Sequence, residues 1–207
     1  MAGLQVHTAE TAYAVTQAEI KAWCKIDSSD DDVTVALIER AVHNWAKEYT
    51  SRTLTTVTYN LFIDTVYESD IPIQEGFYVG YDGRTNKRSI DLPKSPVASV
   101  SHIKYYDDDD TATTFATSNY YLDNVSVPAR IVLRKGSSYP TSLRVANGIE
   151  IKYVAGYGAT TTVPYDIKSA CLAYASYLFE QLLEPYRIKS LSTHPYRGKA
   201  TYRGMFG

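Results

Sequence analysis

The glycine pair in AGYG (residues 155–158) is the first candidate for chemistry, because it precedes a proline and a strongly apolar segment. Such a loop can bind phosphate through backbone N–H groups at a helix N-terminus, usually with a lysine or a longer glycine pattern. Here ATTTV separates Gly158 from the predicted helix, no GK[ST] follows, and the dinucleotide fingerprint is missing. We therefore interpret Gly156 and Gly158 as a sharp exit from a strand rather than as a phosphate site.

The other chemically active residues form no pattern that predicts catalysis or metal binding. The four histidines and the two cysteines, Cys24 and Cys171, show no metal-ligand spacing, and we expect the cysteines to be buried free thiols. YYDDDD (residues 105–110) lacks the spaced ligands and glycine of an EF-hand loop, so a hairpin turn is favoured over a calcium site. GxSxG and HExxH motifs are missing as well. The sequence therefore predicts a protein that is not an enzyme and has no cofactor.

Charge divides the chain into an acidic body and a basic C-terminal segment. The net charge is −2, but residues 185–207 carry five cations and no acid, which leaves 16 basic against 23 acidic residues elsewhere, a balance of −7. Aromatic residues alternate with these cations, a mixture that binds partner proteins or nucleic acids, with a disordered terminus as the alternative. The predicted partner-binding residues are Tyr186, Arg187, Lys189, Tyr196, Arg197, Lys199, Tyr202 and Arg203.

Helical periodicity occurs at both ends of the chain. TQAE (residues 16–19) is a capping box that predicts a first helix to about residue 26, and a second helix follows to about Ser51. A third helix begins near Pro164 and is expected to end at Pro185. Each helix has an apolar stripe that it cannot bury alone, which predicts a bundle. Its predicted core residues are Leu37, Ile38, Trp45, Tyr49, Ile167, Cys171, Tyr174 and Leu178.

Between these helices the hydrophobic periodicity becomes that of strands. TVTYNLFID (residues 56–64) and NGIEIKYVA (residues 147–155) alternate, and shorter candidates bounded by turn residues lie between them. This pattern predicts an α+β protein in which a small helical bundle carries an inserted antiparallel β-sandwich or barrel and an extended C-terminal arm. The predicted parts are N-terminal helices (1–54), β domain (55–156), C-terminal helix (157–184) and basic arm (185–207).

Three segments of the chain resemble the bacteriophage head–tail connector (adaptor) proteins. The first is TQAEIKAWCKID followed by DDDVTVALIERAVHNWAKEYTSRTL, which ends in an EYT-small-R-x-L stretch at Glu48 to Leu54. The second is IDLPKSPVASVSHIKYYD, and the third is YVAGYGATTTVPYDIKSA. They cover most of residues 16–184 in the expected order, whereas the arm beyond Pro185 matches nothing in the family.

The resemblance implies a helical bundle, an inserted β domain and assembly as a ring under the portal at the capsid vertex. Adaptors of this family usually follow the twelvefold symmetry of the portal, pass DNA through the lumen and commonly grip the portal with C-terminal segments. The implied partners are the portal protein, a tail-side stopper or tail-completion protein, and further copies of the chain, either as a dodecameric ring in the virion or as a monomer when alone. The implied location is the virion, after synthesis in the host cytoplasm.

Two other functions remain open from the sequence. The protein could bind nucleic acid through its basic C-terminal segment, or it could be a β-sandwich module with a binding or hydrolytic function. A membrane partner is not predicted, because the longest apolar run, around ACLAYASYLF, is too short to span a bilayer.

Overall fold

The computed structural model describes residues 2–64 and 89–192, and the side chains of residues 3–64 and 89–182. In chain order the elements are β1 (Ala2–Thr8), α1 (Gln17–Cys24), α2 (Asp32–Thr50), β2 (Val57–Ile63), β3 (Ser89–Leu92), β4 (Val97–Tyr106), β5 (Ala112–Thr114), β6 (Tyr120–Asp123), β7 (Ala129–Leu133), β8 (Ile149–Ala155) and α3 (Tyr165–Ser192). The predicted α+β class is confirmed, and the three helices and the strands from β2 to β8 occur in the predicted order.

The three helices pack around one hydrophobic core that draws on both ends of the chain. α1 begins with the predicted capping box, in which the Glu19 N–H donates to Thr16 Oγ1 and the Thr16 N–H donates to Glu19 Oε2. The other oxygen of Glu19 accepts a hydrogen bond from Lys168 of α3 at 2.5 Å. The fully buried members of this core are Ala14, Val15, Ile20, Val35, Val42, Leu54, Cys171 and Ala175. The N-terminal and C-terminal helices therefore form one packed unit.

Two antiparallel sheets form the rest of the structure and share a second core. The larger sheet has the strand order β1-β2-β8-β4-β5, and the smaller has the order β3-β7-β6. Alternate residues of β2 and β8 are buried, as the period of two predicts. Tyr153 of the larger sheet and Ile131 of the smaller sheet belong to the same buried cluster. Neither sheet closes on itself within the described residues, so the predicted sandwich or barrel is confirmed only as two antiparallel sheets with a common core.

The strand β1 lies where the sequence predicts none. It pairs antiparallel with β2, so that Leu4 lies opposite Leu61. Most of its side chains are exposed, and it therefore lacks the alternating burial that identifies β2 from sequence. The assignment of residues 1–54 to the bundle is wrong for this strand, which belongs to the larger sheet.

α3 extends further than the sequence predicts. The sequence predicts that the helix ends at Pro185, but the backbone stays helical as far as Ser192. A proline inside a helix removes one backbone hydrogen bond and favours a kink, but it does not prevent the helix from continuing. Residues 185–192 are therefore helix and not the beginning of an extended arm.

The strands β1, β2 and β8 are neighbours in the larger sheet, and all three connect to the helical part at the same end. The pairing of Thr8 with Thr58 brings the last residue of β1 next to the start of β2. The pairing of Val57 with Ala155 places the start of β2 next to the end of β8. All three passages of the chain between the sheet and the helices therefore lie side by side.

The glycine turn after β8 lies at this junction. Gly156 has a φ of +113°, and a Cβ atom there would lie 2.1 Å from the carbonyl oxygen of Thr55. The Gly156 N–H donates to the carbonyl of Pro96 at 2.8 Å, and the Tyr157 N–H donates to that of Leu54 at 3.3 Å. These N–H groups already donate to carbonyl groups of the protein's own backbone. A phosphate loop would need them free to bind the ligand, so the turn fits the predicted strand exit instead.

Candidate interaction surface

α2 carries two apolar stripes, and only one of them is buried in the helical core. The buried stripe consists of Val35, Ile38, Val42 and Ala46, which are at most 4% exposed. The second stripe recurs every four residues and consists of Val33, Leu37, Ala41, Trp45 and Tyr49. Its side chains face away from that core: Leu37 is 63% exposed and Tyr49 is 78% exposed. A soluble helix normally has a single apolar stripe, so the second needs a separate explanation.

A matching row on α3 faces the second stripe of α2. It consists of Tyr174, Leu178 and Leu182, again four residues apart, with Tyr177 beside it. Between the two helices lies a groove of about 290 Å³ with an almost wholly apolar lining, which Leu37, Ala41, Leu178 and Leu182 help to form. We call the exposed stripe of α2, this row of α3 and Tyr177 together the α2–α3 apolar face.

Four aromatic rings continue the α2–α3 apolar face beyond the groove. Trp45 stacks on Tyr49 with ring centroids 5.4 Å apart, and it packs against Tyr174 of α3 at 4.6 Å. Tyr174 in turn stacks on Tyr177 at 6.2 Å. Tyr177 is 55% exposed. Tryptophan and tyrosine dominate the binding energy of protein interfaces, and stacked rings lose little side-chain freedom when a partner binds.

Five of the eight predicted core residues contribute to the helical core, and three are placed incorrectly by the sequence. Ile38 and Cys171 are buried, and Ile167, Tyr174 and Leu178 pack against the core while partly exposed. Leu37, Trp45 and Tyr49 are exposed instead and belong to the α2–α3 apolar face. The sequence pattern merges two adjacent stripes of α2 into one, because both recur at helical spacing.

A second exposed apolar site is the turn between β6 and β7, residues 124–128, which we call the valine loop. Its Val125 is 90% exposed and its Val127 is 72% exposed. Asp123 fixes the turn: one carboxylate oxygen accepts from the N–H groups of Val125 and Ser126 at 3.3 Å each. The other oxygen accepts from Ser126 Oγ at 2.7 Å and from Arg130 Nε at 2.9 Å. The hydrogen bonds from Ser126 and Arg130 lower the pKa of Asp123.

The structure shows similarity to chains of phage-like particles. A chain from the neck of an empty gene transfer agent (GTA) particle, computed with C6 symmetry, matches with a TM-score of 0.65 and 18% identity, over 86% of this chain and 84% of that one. A chain from the virion of the native GTA particle matches with a TM-score of 0.64 and 18% identity, over 86% of this chain and 84% of that chain. A chain from the neck of the native GTA particle, computed with C12 symmetry, matches with a TM-score of 0.61 and 21% identity, over 86% of this chain and 83% of that chain.

This protein has the fold of those particle chains. At such identities the likeness establishes the architecture and no more. Neither a protein-family model nor a curated protein matches the chain. Sequence reasoning found neither the α2–α3 apolar face nor the valine loop as a surface.

Most of the predicted partner-binding residues lie outside the described part of the chain. These are Tyr196, Arg197, Lys199, Tyr202 and Arg203. Tyr186, Arg187 and Lys189 lie on the last part of α3, where the backbone is described but the side chains are not. Their proposed role in binding a partner protein or a nucleic acid therefore stays a prediction.

One buried histidine joins the segment before α1 to α2. The side chain of His43 is fully buried, and its Nδ1 accepts a hydrogen bond from the Ala14 N–H at 3.1 Å. Its Nε2 lies 3.4 Å from a carboxylate oxygen of Glu10, which also binds Lys47 at 2.5 Å. Burial lowers the pKa of His43, the charge of Lys47 lowers it further, and Glu10 opposes both. The site is a structural link inside the fold.

The described residues offer no metal site and no membrane-spanning helix. Within ranges 2–64 and 89–192, no three His, Cys, Asp or Glu side chains converge as ligands, and no helix has the length and apolar character to cross a bilayer. Burial raises the pKa of the Cys171 thiol to about 11, and Cys24 is half-buried, so neither is poised as a nucleophile. The acidic run at 107–110 forms the predicted hairpin turn between β4 and β5.

Proposed function

We propose that this protein is a structural virion protein, a head–tail connector or adaptor that forms a ring beneath the portal and joins capsid to tail. The observation that carries the proposal is the likeness of fold, over 86% of the chain, to chains from GTA particle necks. The three segments that resemble adaptor proteins support it further, because they include the α1 capping box and the turn at Gly156. No catalytic step is assigned to the protein.

The proposed assembly is a dodecameric ring with DNA passing through its lumen. Two of the similar structures come from particle necks computed with C6 and C12 symmetry, which supports a ring. The α2–α3 apolar face supports assembly as well, since soluble monomers rarely expose contiguous apolar patches larger than a few hundred Å². A monomer in free solution is compatible with this proposal, because the portal can act as the template on which weak contacts become strong through avidity.

The proposed partners are the portal protein on the capsid side and a stopper or tail-completion protein on the tail side. The basic, aromatic residues of the C-terminal segment 185–207, which begins on the last part of α3, are proposed to bind the portal. The balance of −7 over residues 1–184 supports the passage of DNA, because phosphate binding depends on lysine and arginine. In this proposal the protein is made in the host cytoplasm and resides at the head–tail interface of the virion.

Mixing the purified protein with its portal protein and imaging the mixture by negative-stain electron microscopy tests the proposal. We expect a ring on one end of the portal with the symmetry of the portal. Portal particles that stay bare at saturating protein would contradict the proposed function.

Two variants test the C-terminal segment. Deletion of residues 193–207 preserves α3 to Ser192 and is expected to abolish portal binding without changing the unfolding transition. A full-length variant with Arg197, Lys199 and Arg203 changed to Gln keeps the chain length and isolates the contribution of charge. Salt-sensitive binding to duplex DNA that both variants lose, together with unchanged portal binding, would favour the nucleic-acid alternative.

A further inference from the structure

We propose that the α2–α3 apolar face is a subunit interface, and that it receives the valine loop of a neighbouring copy of this chain. The inference rests on the proposed ring and specifies which two surfaces meet in it. It commits to a second copy of the chain as the occupant of the groove, in preference to the portal or a tail protein.

The extent of the α2–α3 apolar face matches that of a subunit interface. The exposed fractions of its large side chains range from 37% for Trp45 to 78% for Tyr49. At such fractions each of six large side chains exposes on the order of 100 Å², so that together they present roughly 600 Å². The largest apolar patch of a typical monomer is about 300–600 Å². A standard interface buries about 800 Å² per partner. The face therefore lies at the upper end of the patch size of a typical monomer and presents about three quarters of the area that one partner buries in a standard interface.

A ring also requires two different surfaces on each subunit. Cyclic assemblies with more than two members use head-to-tail contacts, in which one patch of a subunit binds another patch of the next. The valine loop is a second apolar patch, and it lies on the β part, between β6 and β7, rather than on the helices that form the first. One subunit thus carries both halves of a head-to-tail contact.

The valine loop is built to be rigid although its apolar side chains face solvent. Two backbone N–H groups, those of Val125 and Ser126, and the side chains of Ser126 and Arg130 all donate to Asp123, so the turn loses little conformational freedom when Val125 binds. Exposure alone does not distinguish this loop, since Val145 on another loop is 93% exposed; the valine loop differs in carrying two exposed valines on a turn whose N–H groups are held by Asp123. This combination of a fixed backbone and exposed valines is that of a preorganised binding element.

The groove in the face suits such an element in size and chemistry. Its volume is about 290 Å³ and its lining is almost wholly apolar. A groove of this volume, open to solvent along one side, has space for a few aliphatic side chains of a partner. Branched aliphatic side chains from a rigid turn fill this space without leaving buried polar groups unpaired.

Disulfide trapping within portal-bound rings tests the contact. Leu37 lines the groove and Val125 lies at the tip of the valine loop, so both are changed to Cys in one full-length chain. The same chain carries Cys24→Ser, which removes the half-buried thiol. After mild oxidation on the portal, we expect a ladder of covalent multimers on a non-reducing gel. The matched control pairs Leu37→Cys with Val145→Cys, because Val145 is 93% exposed and lies on another loop; we expect no ladder from it.

The outcomes separate this inference from the function on which it rests. Rings on the portal without the Leu37–Val125 ladder, or with an equal Leu37–Val145 ladder, overturn the inference and leave the proposed function standing. Loss of thiol labelling at Leu37→Cys when portal is added, without a ladder, shows that a surface other than the valine loop covers the groove and also overturns the inference. Wild-type protein that forms no ring on the portal contradicts the proposed function itself.

A second pair of variants avoids cysteine chemistry. The double change of Val125 and Val127 to Ser lies on exposed positions, so an unchanged unfolding midpoint is expected together with at least a tenfold loss of ring occupancy on the portal. The change Val145→Ser is the control and should leave occupancy unchanged. Full occupancy with the serine-substituted valine loop would overturn the inference.

Discussion

Arg52 donates a hydrogen bond from Nη1 to the hydroxyl oxygen of Tyr157 at 2.6 Å, between residues 105 positions apart in the sequence. Arg52 lies just after α2 and Tyr157 lies in the glycine turn after β8. Both belong to segments that resemble adaptor proteins. The hydrogen bond therefore connects two segments that are distant in sequence, and it stabilises the junction between the helices and the larger sheet.

The change Tyr157→Phe is expected to lower the free energy of unfolding by about 1–2 kcal/mol, because it removes the acceptor of a charged donor. Urea unfolding followed by circular dichroism measures the change. The control is Tyr165→Phe, since the side chain of Tyr165 is 85% exposed; we expect an effect within about 0.5 kcal/mol there. Equal losses in the two variants would argue against a special importance of the Arg52 contact.

The change Gly156→Ala is expected to lower the free energy of unfolding by at least about 3 kcal/mol. It combines the strain of a positive φ with a clash against the backbone. The added Cβ atom would meet the Thr55 carbonyl oxygen at 2.1 Å. Gly136 separates the two causes, since its φ is +87° but no atom lies within 4 Å of the Cβ position. Gly136→Ala should therefore cost only about 1–2 kcal/mol. Similar denaturation midpoints for both variants would show that the approach to Thr55 is unimportant.

The neighbours Leu37 and Ile38 provide a sharp test of the two stripes of α2. Ile38→Ala removes a side chain that is 4% exposed and should cost about 2–5 kcal/mol. Leu37→Ala removes one that is 63% exposed, so the isolated protein should lose less than about 1 kcal/mol. Thermal and urea unfolding of the free protein measure both values. A large loss for Leu37→Ala would place that side chain in the core of the subunit, as the sequence alone predicts.

Stability is expected to fall as the pH decreases below about 6.5, because His43 is held neutral in the folded protein. Burial lowers its pKa from the ordinary value of 6.5, so the unfolded chain binds the proton at higher pH than the folded chain does. The pKa of Glu10 is also lowered, from the ordinary value of 4.5, so protonation of Glu10 at more acidic pH lowers the stability further. Urea midpoints at pH 7.5, 6.5 and 5.5 give the slope.

His43→Gln should flatten that slope, because it removes the buried imidazole. A wild-type midpoint that stays constant between pH 7.5 and 5.5 would refute the assignment.

Most of the secondary structure follows from sequence periodicity, because it is local. The capping box at Thr16 and the alternation in β2 and β8 each contain enough residues to specify their element. β1 is harder to predict, because an edge strand with exposed side chains has no alternation to detect. The length of α3 was underestimated at Pro185, because a proline weakens a helix without always ending it.

The interaction surface could be predicted only in part, because exposure depends on how the helices are rotated. The sequence identifies Leu37, Trp45 and Tyr49 as apolar residues of α2, but it cannot say which of two adjacent stripes faces the protein's own core. The sequence does not identify the valine loop as a surface, since valines near a turn also occur in many buried connections. Tertiary packing decides both features, and sequence periodicity alone does not contain that information.

The neighbouring attachment of β1, β2 and β8 to the helical part has a mechanical consequence. Thr8, Val57 and Ala155 all lie at one end of three adjacent strands. A force that pulls the helices away from the sheet is shared among three covalent tethers, and none of these strands must slide past another to carry it. An architecture of this kind resists tension along the strand axis.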